Sequence, residues 1–216
     1  VQNHTGYLNL CELIARGWLH VPEHEAQARL RWEWVRELSD GLMLLSGAAA
    51  GPLEPAFVTG DKAQAQAIAT QMAQTFPGRF YLELQRAGRA ADEPHVAAAV
   101  QLAQQMQLPV VATHPVQYLR PEEFDAHEVR VCIAEGEIVG NPRRKRRFTH
   151  QQYLYSSAQM QALFADIPSA LENTLEIAKR SHLTLVLGKP QLPNYPIPDG
   201  MTMDEYFRHL SFEGLE

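Results

Sequence analysis

The chain has 216 residues, enough for one large domain with a buried core, and its 45% hydrophobic content is ordinary for a globular protein. No stretch approaches the roughly 20 apolar residues that a bilayer-spanning helix requires, so no membrane span is readable and a cytoplasmic setting is expected. The formal net charge of −6 argues against the whole chain being a nucleic-acid-binding module, because phosphate contacts need clustered cations.

From the N-terminus, Thr5 to Trp18 places Leu8, Leu10, Leu13 and Ile14 on one helical stripe, with Thr5 as the expected cap and Gly17 near the end. Cys11 and Cys132 are far apart and outside any C-x-x-C spacing, which fits a reduced compartment. The opening Val1-Gln2-Asn3-His4 has neither an initiator Met nor a leader, so a cut inside a longer chain is expected. A second helix is predicted around Arg29 to Leu38, before the turn Ser39-Asp40-Gly41. Leu42 to Leu45 then reads as a buried strand ended by Ser46-Gly47.

Helix and strand alternate beyond this point. Lys62 to Thr75 is helix-forming, Phe76-Pro77-Gly78 stops it, and Arg79 to Leu84 reads as a strand. Pro94 to Met106 is a further helix, and Leu108 to Thr113 a buried strand ending at His114-Pro115. Strands separated by helices imply α/β architecture with a parallel sheet or barrel. Three strand candidates cannot close an eight-stranded barrel, so the expected fold is a partial, distorted (β/α) barrel lacking its N-terminal strands.

Glu122 to Glu135 is read as a helix, and the connection from Gly136 to Thr149 carries Arg143-Arg144-Lys145-Arg146-Arg147. Five consecutive cations cannot all be buried, and Asn141-Pro142 before them suggests a mobile loop. That loop is either a solvated surface or a contact for DNA or an acidic partner; Phe148 alone is too little for base stacking. Helices are expected from Ser157 to Phe164 and from Pro168 to Ser181. Pro190, Pro193, Pro196 and Pro198 suggest an extended segment, followed by a helix from Met203 to Leu215. A domain boundary is placed near residue 189, separating 1–188 from 189–216.

No P-loop, G-x-G-x-x-G, G-x-S-x-G or H-E-x-x-H pattern is present, so no compact catalytic signature is available. In a parallel α/β fold the C-terminal strand ends form the usual site, which draws attention to Ser46, the segment Glu83 to Gly88, and His114. Two metal-capable side chains, Glu83 and His114, fall short of the three protein ligands of a catalytic metal site. Glu83 on an apolar strand is expected to pair with Arg86 or Arg89, since an unpaired carboxylate there would be costly. Asp125 and His127, two residues apart on a helix, are expected on its solvated surface.

Several segments, taken in order, carry a resemblance. They are Thr5 to Leu10, Gly41 to Gly47, Phe80 to Leu84, Leu108 to Thr113, Phe124 to Glu128, Leu163 to Pro168, Glu172 to Ala178, Leu192-Pro193 and Glu213 to Glu216. The set resembles the N-terminal PHP (polymerase and histidinol phosphatase) domain of the bacterial replicative DNA polymerase III alpha-subunit family, across essentially the whole chain. The resemblance implies that residues 1–188 are the C-terminal two-thirds of a PHP domain. Residues 189–216 would be a linker and the start of the polymerase palm region.

It further implies a parent that is a DNA-directed DNA polymerase, a nucleotidyltransferase requiring Mg2+. Its implied partners are DNA, a proofreading exonuclease subunit and other replisome subunits. Metal-binding members of the family tend to carry Cys, His, Asp and His where this chain has Ala48, Ala87, Pro115 and Gln117. The resemblance therefore implies no metal, cofactor or catalytic residue within this chain, with Glu83 and His114 as vestiges of a site. The alternative is a metal-dependent phosphoesterase or 3′–5′ exonuclease of the PHP superfamily. Missing strands would leave open edges, so the isolated chain is expected to self-associate.

Overall fold

The structure, a computed structural model, describes residues 1–21, 27–190 and 195–215. Of the residues singled out above, Leu192, Pro193 and Glu216 lie outside the described residues. The described residues divide into two compact units, Val1–Leu183 and Thr184–Glu216.

The first unit opens with α1, His4–Leu19. Its cap is Asn3, whose side chain accepts from the Gly6 N–H at 3.0 Å, and not Thr5, which lies inside the first turn. A Cβ on Gly6 would stand 2.0 Å from the Gly41 carbonyl oxygen, so glycine is what lets α1 lie against the Ser39–Gly41 turn. α2 is Trp32–Glu37, shorter than the stretch from Arg29 expected of it, because Arg31 is extended.

Three parallel strands follow: β1 (Leu44–Leu45), β2 (Phe80–Gln85) and β3 (Val110–Thr113), in the order β1-β2-β3. Leu44 pairs with Phe80, and Leu82 to Gln85 pair with Val110 to Thr113. β1 is two residues shorter than expected, for a reason outside the strand. The Arg79 guanidinium takes the Leu42 carbonyl at 2.9 Å and the Ser39 carbonyl at 2.8 Å, while the Leu42 N–H turns back to Ser39. Leu42 thus belongs to the turn and not to the ladder.

Between β1 and β2 come a 3₁₀ turn at Ala48–Ala50, then α3 (Glu54–Thr59) and α4 (Lys62–Thr75). α3 was not expected from the sequence, although Pro55 in its first turn and Gly60 in the left-handed conformation past its end are standard helix bounds. α5 (Asp92–Met106) packs on β2. After β3 come α6 (Phe124–Glu135), α7 (Ser157–Leu163) and α8 (Pro168–Arg180). α8 packs against β3, and Asn173 donates to the Val110 carbonyl at 2.7 Å, capping part of that strand's outer edge.

The core is centred on β2, whose Phe80, Tyr81, Leu82 and Leu84 are all buried, the pattern of a parallel strand covered on both faces. Leu53, Phe76, Phe164 and Ala170 complete it. The second unit contains α9, Met203–Glu213, started by a reciprocal capping pair between Thr202 and Glu205. No helix among the described residues is long and apolar enough to cross a membrane.

Candidate functional site

The parallel sheet puts the residues that follow each strand at one rim. Ser46-Gly47 leave β1, Arg86 and Ala87 leave β2, and His114 leaves β3. Glu83, third from the end of β2, links them. Its backbone N–H donates to the Ser46 hydroxyl at 2.9 Å, and its carboxylate Oε2 accepts from the Gly47 N–H at 3.0 Å. Oε1 accepts from the Gln85 amide at 3.1 Å and from the Thr113 hydroxyl.

The expected ion pair to Arg86 or Arg89 does not form. The carboxylate is held by neutral donors from β2, β3 and the turn that follows β1, because both cations are engaged elsewhere. Arg86 forks onto Asp166 at 2.6 and 2.8 Å and also donates to the Leu163 carbonyl, tying the end of β2 to the α7–α8 turn. That guanidinium holds the Asp166 carboxyl below its ordinary value. Arg89 pairs with the buried Asp92 at 2.8 Å and reaches Gln85 at 2.9 Å. Asp92, Arg89, Gln85, Glu83 and Thr113 form one connected polar chain.

A second set of contacts closes the rim. The segment 149–155 crosses it as a strap that no sequence signal announced, being polar and without periodicity. The Thr149 hydroxyl donates to the Ala87 carbonyl, and the buried Gln152 side chain donates to the Pro115 carbonyl at 3.1 Å. The Gln117 N–H donates to the Gln152 carbonyl at 2.7 Å. His114 Nε2 lies 2.7 Å from the Gln151 carbonyl, which can only accept, so Nε2 carries the proton. Burial holds His114 below the ordinary histidine range, and its ring packs on Tyr155 with centroids 4.3 Å apart. Nδ1 is left as a buried lone pair without a partner.

These residues do not suit a divalent metal. Both Glu83 oxygens already accept from this chain, and His114 offers one nitrogen. Ala48 and Ala87 are buried with no donor on their side chains, Pro115 has none, and Gln117 is an exposed, weak ligand. Among the described residues no three His, Cys, Asp or Glu side chains converge.

The basic run lies elsewhere, along α6. Arg144 pairs with Glu128, both side chains buried, with Arg146 4.0 Å from the same carboxylate; Arg147 pairs with Glu135. The connection is also built from turns: Asn141 donates to Glu137 and accepts from the Arg143 N–H, and the Arg144 N–H returns to the Asn141 carbonyl. The mobile, solvated loop expected there is thus a hydrogen-bonded one with a buried arginine. Among the described residues Arg143 and Lys145 form no ion pair. His127, expected on a solvated face, is buried between Tyr118 and Phe148, while Asp125 is exposed.

Residues 1–87, which include β1 and β2, match the PHP domain family. Over its whole length the chain is similar to DNA polymerase III alpha subunits. That of Pseudomonas fluorescens is 48% identical, covering 100% of this chain and 18% of that protein. The Neisseria meningitidis serogroup A subunit is 42% identical over 100% of the chain and 19% of its own length. For Escherichia coli K12 the values are 41%, 99% and 18%. Over its whole length the chain is thus similar to DNA polymerase III alpha subunits, with a PHP-domain match over residues 1–87, and it spans about a fifth of the relatives it matches.

Proposed function

We propose that this chain is the PHP portion of a replicative DNA polymerase alpha subunit, metal-free at its strand-end rim and serving as a structural and partner-docking platform. One observation carries the reading. The positions around the rim are tied to one another and to the 149–155 strap, through Glu83 to Gly47 and Thr113, and through Ala87, Pro115 and Gln117 to Thr149 and Gln152. A hydrolytic site needs an open coordination position and three protein ligands. The polar groups here stabilise a closed end of the sheet instead.

In this reading residues 1–188 are part of a distorted (β/α) barrel, and 189–216 lead into the polymerase palm. The parent is a cytoplasmic nucleotidyltransferase that uses Mg2+ at aspartates outside this chain. Its partners are DNA, the proofreading exonuclease subunit and other replisome subunits. The test is metal analysis of the full-length subunit together with hydrolysis of a phosphate ester and a 3′-labelled oligonucleotide. We expect no stoichiometric zinc or manganese in this domain, and no hydrolysis that changes in Glu83→Ala or His114→Ala. Bound metal accompanied by hydrolysis that both variants abolish would establish a working phosphoesterase instead.

A further inference from the structure

α6 buries two polar side chains and exposes two large aliphatic ones. Its inward positions are Phe124, His127, Glu128 and Cys132, so a histidine and a carboxylate occupy the buried face. Neither His127 nitrogen has a hydrogen-bond partner, and one Glu128 oxygen has none either. Its outward face carries Ala126, Val129 and Ile133; Val129 and Ile133, four residues apart, share a ridge. Val129 is 42% exposed and Ile133 76% exposed. Gly136 ends the helix in the left-handed conformation, with the Glu137 N–H returning to the Cys132 carbonyl at 2.8 Å. Just beyond it, Ile138 and Val139 are 75% and 48% exposed. A surface helix ordinarily shows the opposite arrangement, apolar within and polar without.

The basic run is fixed beside this helix. Glu128 and Glu135 are seven residues apart, about 10 Å along the helix axis. Arg144 and Arg147, which pair with them, are three residues apart, about 10 Å in an extended chain. The run therefore lies along α6, clamped at both ends. Arg144 and Arg147 are matched by carboxylates; Arg143, Lys145 and, on α6 itself, Arg130 have no such partner among the described residues and are exposed.

We propose that the outer face of α6, with the 138–145 segment, is the docking surface for a partner protein through an acidic amphipathic segment. The partner's apolar side chains lie on Val129, Ile133, Ile138 and Val139, and its carboxylates meet Arg130, Arg143 and Lys145. Arg130, Arg143 and Lys145 outnumber the exposed Asp125 and Glu137, which selects an acidic partner, and the aliphatic ridge selects protein over nucleic acid. A phosphate backbone gains nothing from exposed isoleucines, and base stacking needs aromatic faces that this ridge does not offer. The proposal rests on the docking reading above and locates it on the molecule.

The experiment places a photo-crosslinker on this face, Ala126→p-benzoylphenylalanine, in the full-length subunit. The probe is a synthetic amphipathic helix of leucine and glutamate, with a single-stranded oligonucleotide as comparator. We expect saturable crosslinking of the peptide. At sub-saturating peptide its yield falls about tenfold in Ile133→Ser, and by a similar factor in the double variant Arg143→Glu/Lys145→Glu, corresponding to loss of one central contact. Both substitutions are at exposed positions, and unchanged circular dichroism confirms that the fold is retained.

Preferential crosslinking to the oligonucleotide, insensitive to Ile133→Ser, would overturn the proposal in favour of DNA. Crosslinks between two copies of the subunit that the peptide does not displace would overturn it in favour of self-association. Absence of saturable crosslinking would also overturn it. None of these outcomes changes the metal content or hydrolysis at the rim, so the metal-free reading stands or falls separately.

Discussion

The strand-end rim and α6 handle polar groups in opposite ways. At the rim, carboxylate, amide and hydroxyl groups turn toward each other over an apolar sheet, and the Glu83 carboxylate is held by donors from β2, β3 and the turn after β1. On α6, His127 and Glu128 are buried beside Phe124 and Cys132, while Val129 and Ile133 face outward. Unpaired buried polar atoms are costly, and so are solvated aliphatic ridges. At the rim most polar groups thus find partners within this chain, His114 Nδ1 being an exception. α6 carries both kinds of cost, which is the observation behind the docking surface proposed for it.

The largest effect expected from breaking this contrast is at Glu128. Glu128→Ala leaves the Arg144 guanidinium without its carboxylate partner, and removing one member of a close ion pair is more destabilising than replacing both. We expect a clearly lowered urea midpoint for the full chain, whereas Glu128→Met with Arg144→Met stays close to the parent. If Glu128→Ala leaves the midpoint unchanged, the pair is a surface contact and α6 has no buried ion pair.

Glu83→Gln comes next, at about 1 kcal/mol, because a carboxamide must aim its NH2 at one of the donors now satisfied by carboxylate oxygen. That loss is expected to be the same with and without a chelator. A loss that appears only once zinc or manganese is supplied would turn the rim from a closed network into a metal site.

Much of this was readable in advance where the signal is local. α4, with its alanine-rich run ended by Phe76-Pro77-Gly78, was expected over the range it occupies, and the alternation of strands and helices predicted a parallel sheet. The strand-end rule also grouped Ser46 with Glu83, which are hydrogen-bonded. What was not readable depends on partners distant in sequence. β1 is cut short by the side chain of Arg79, and the strap meets main-chain carbonyls at Ala87 and Pro115.

Glu83 shows the same limit from the other side. Two arginines within six residues made an ion pair the natural expectation, but Asp166 and Asp92 claim them. On α6, taking the apolar positions as inward would have placed Val129 and Ile133 in the core, and only the fold shows His127 and Glu128 there instead. Polarity patterns locate a buried face only when the rest of the surface is exposed to water.

The smallest expected effect concerns His114 and sharpens the protonation state of the rim. Its folded-state pKa is lowered, first of all by burial, so above its ordinary value of 6.5 the imidazole is neutral in both folded and unfolded chains. As the pH falls below 6.5 the unfolded chain takes up the proton first, and stability declines until the folded imidazole is protonated in its turn. His114→Gln removes this linkage. We therefore expect the urea midpoint to fall between pH 7.5 and 5.5 by more in the parent than in the variant. An equal fall would mean that the imidazole is not held neutral. A smaller fall in the parent would mean that the charged form is favoured, as it would be if the buried Nδ1 faced an acceptor and not an empty lone-pair position.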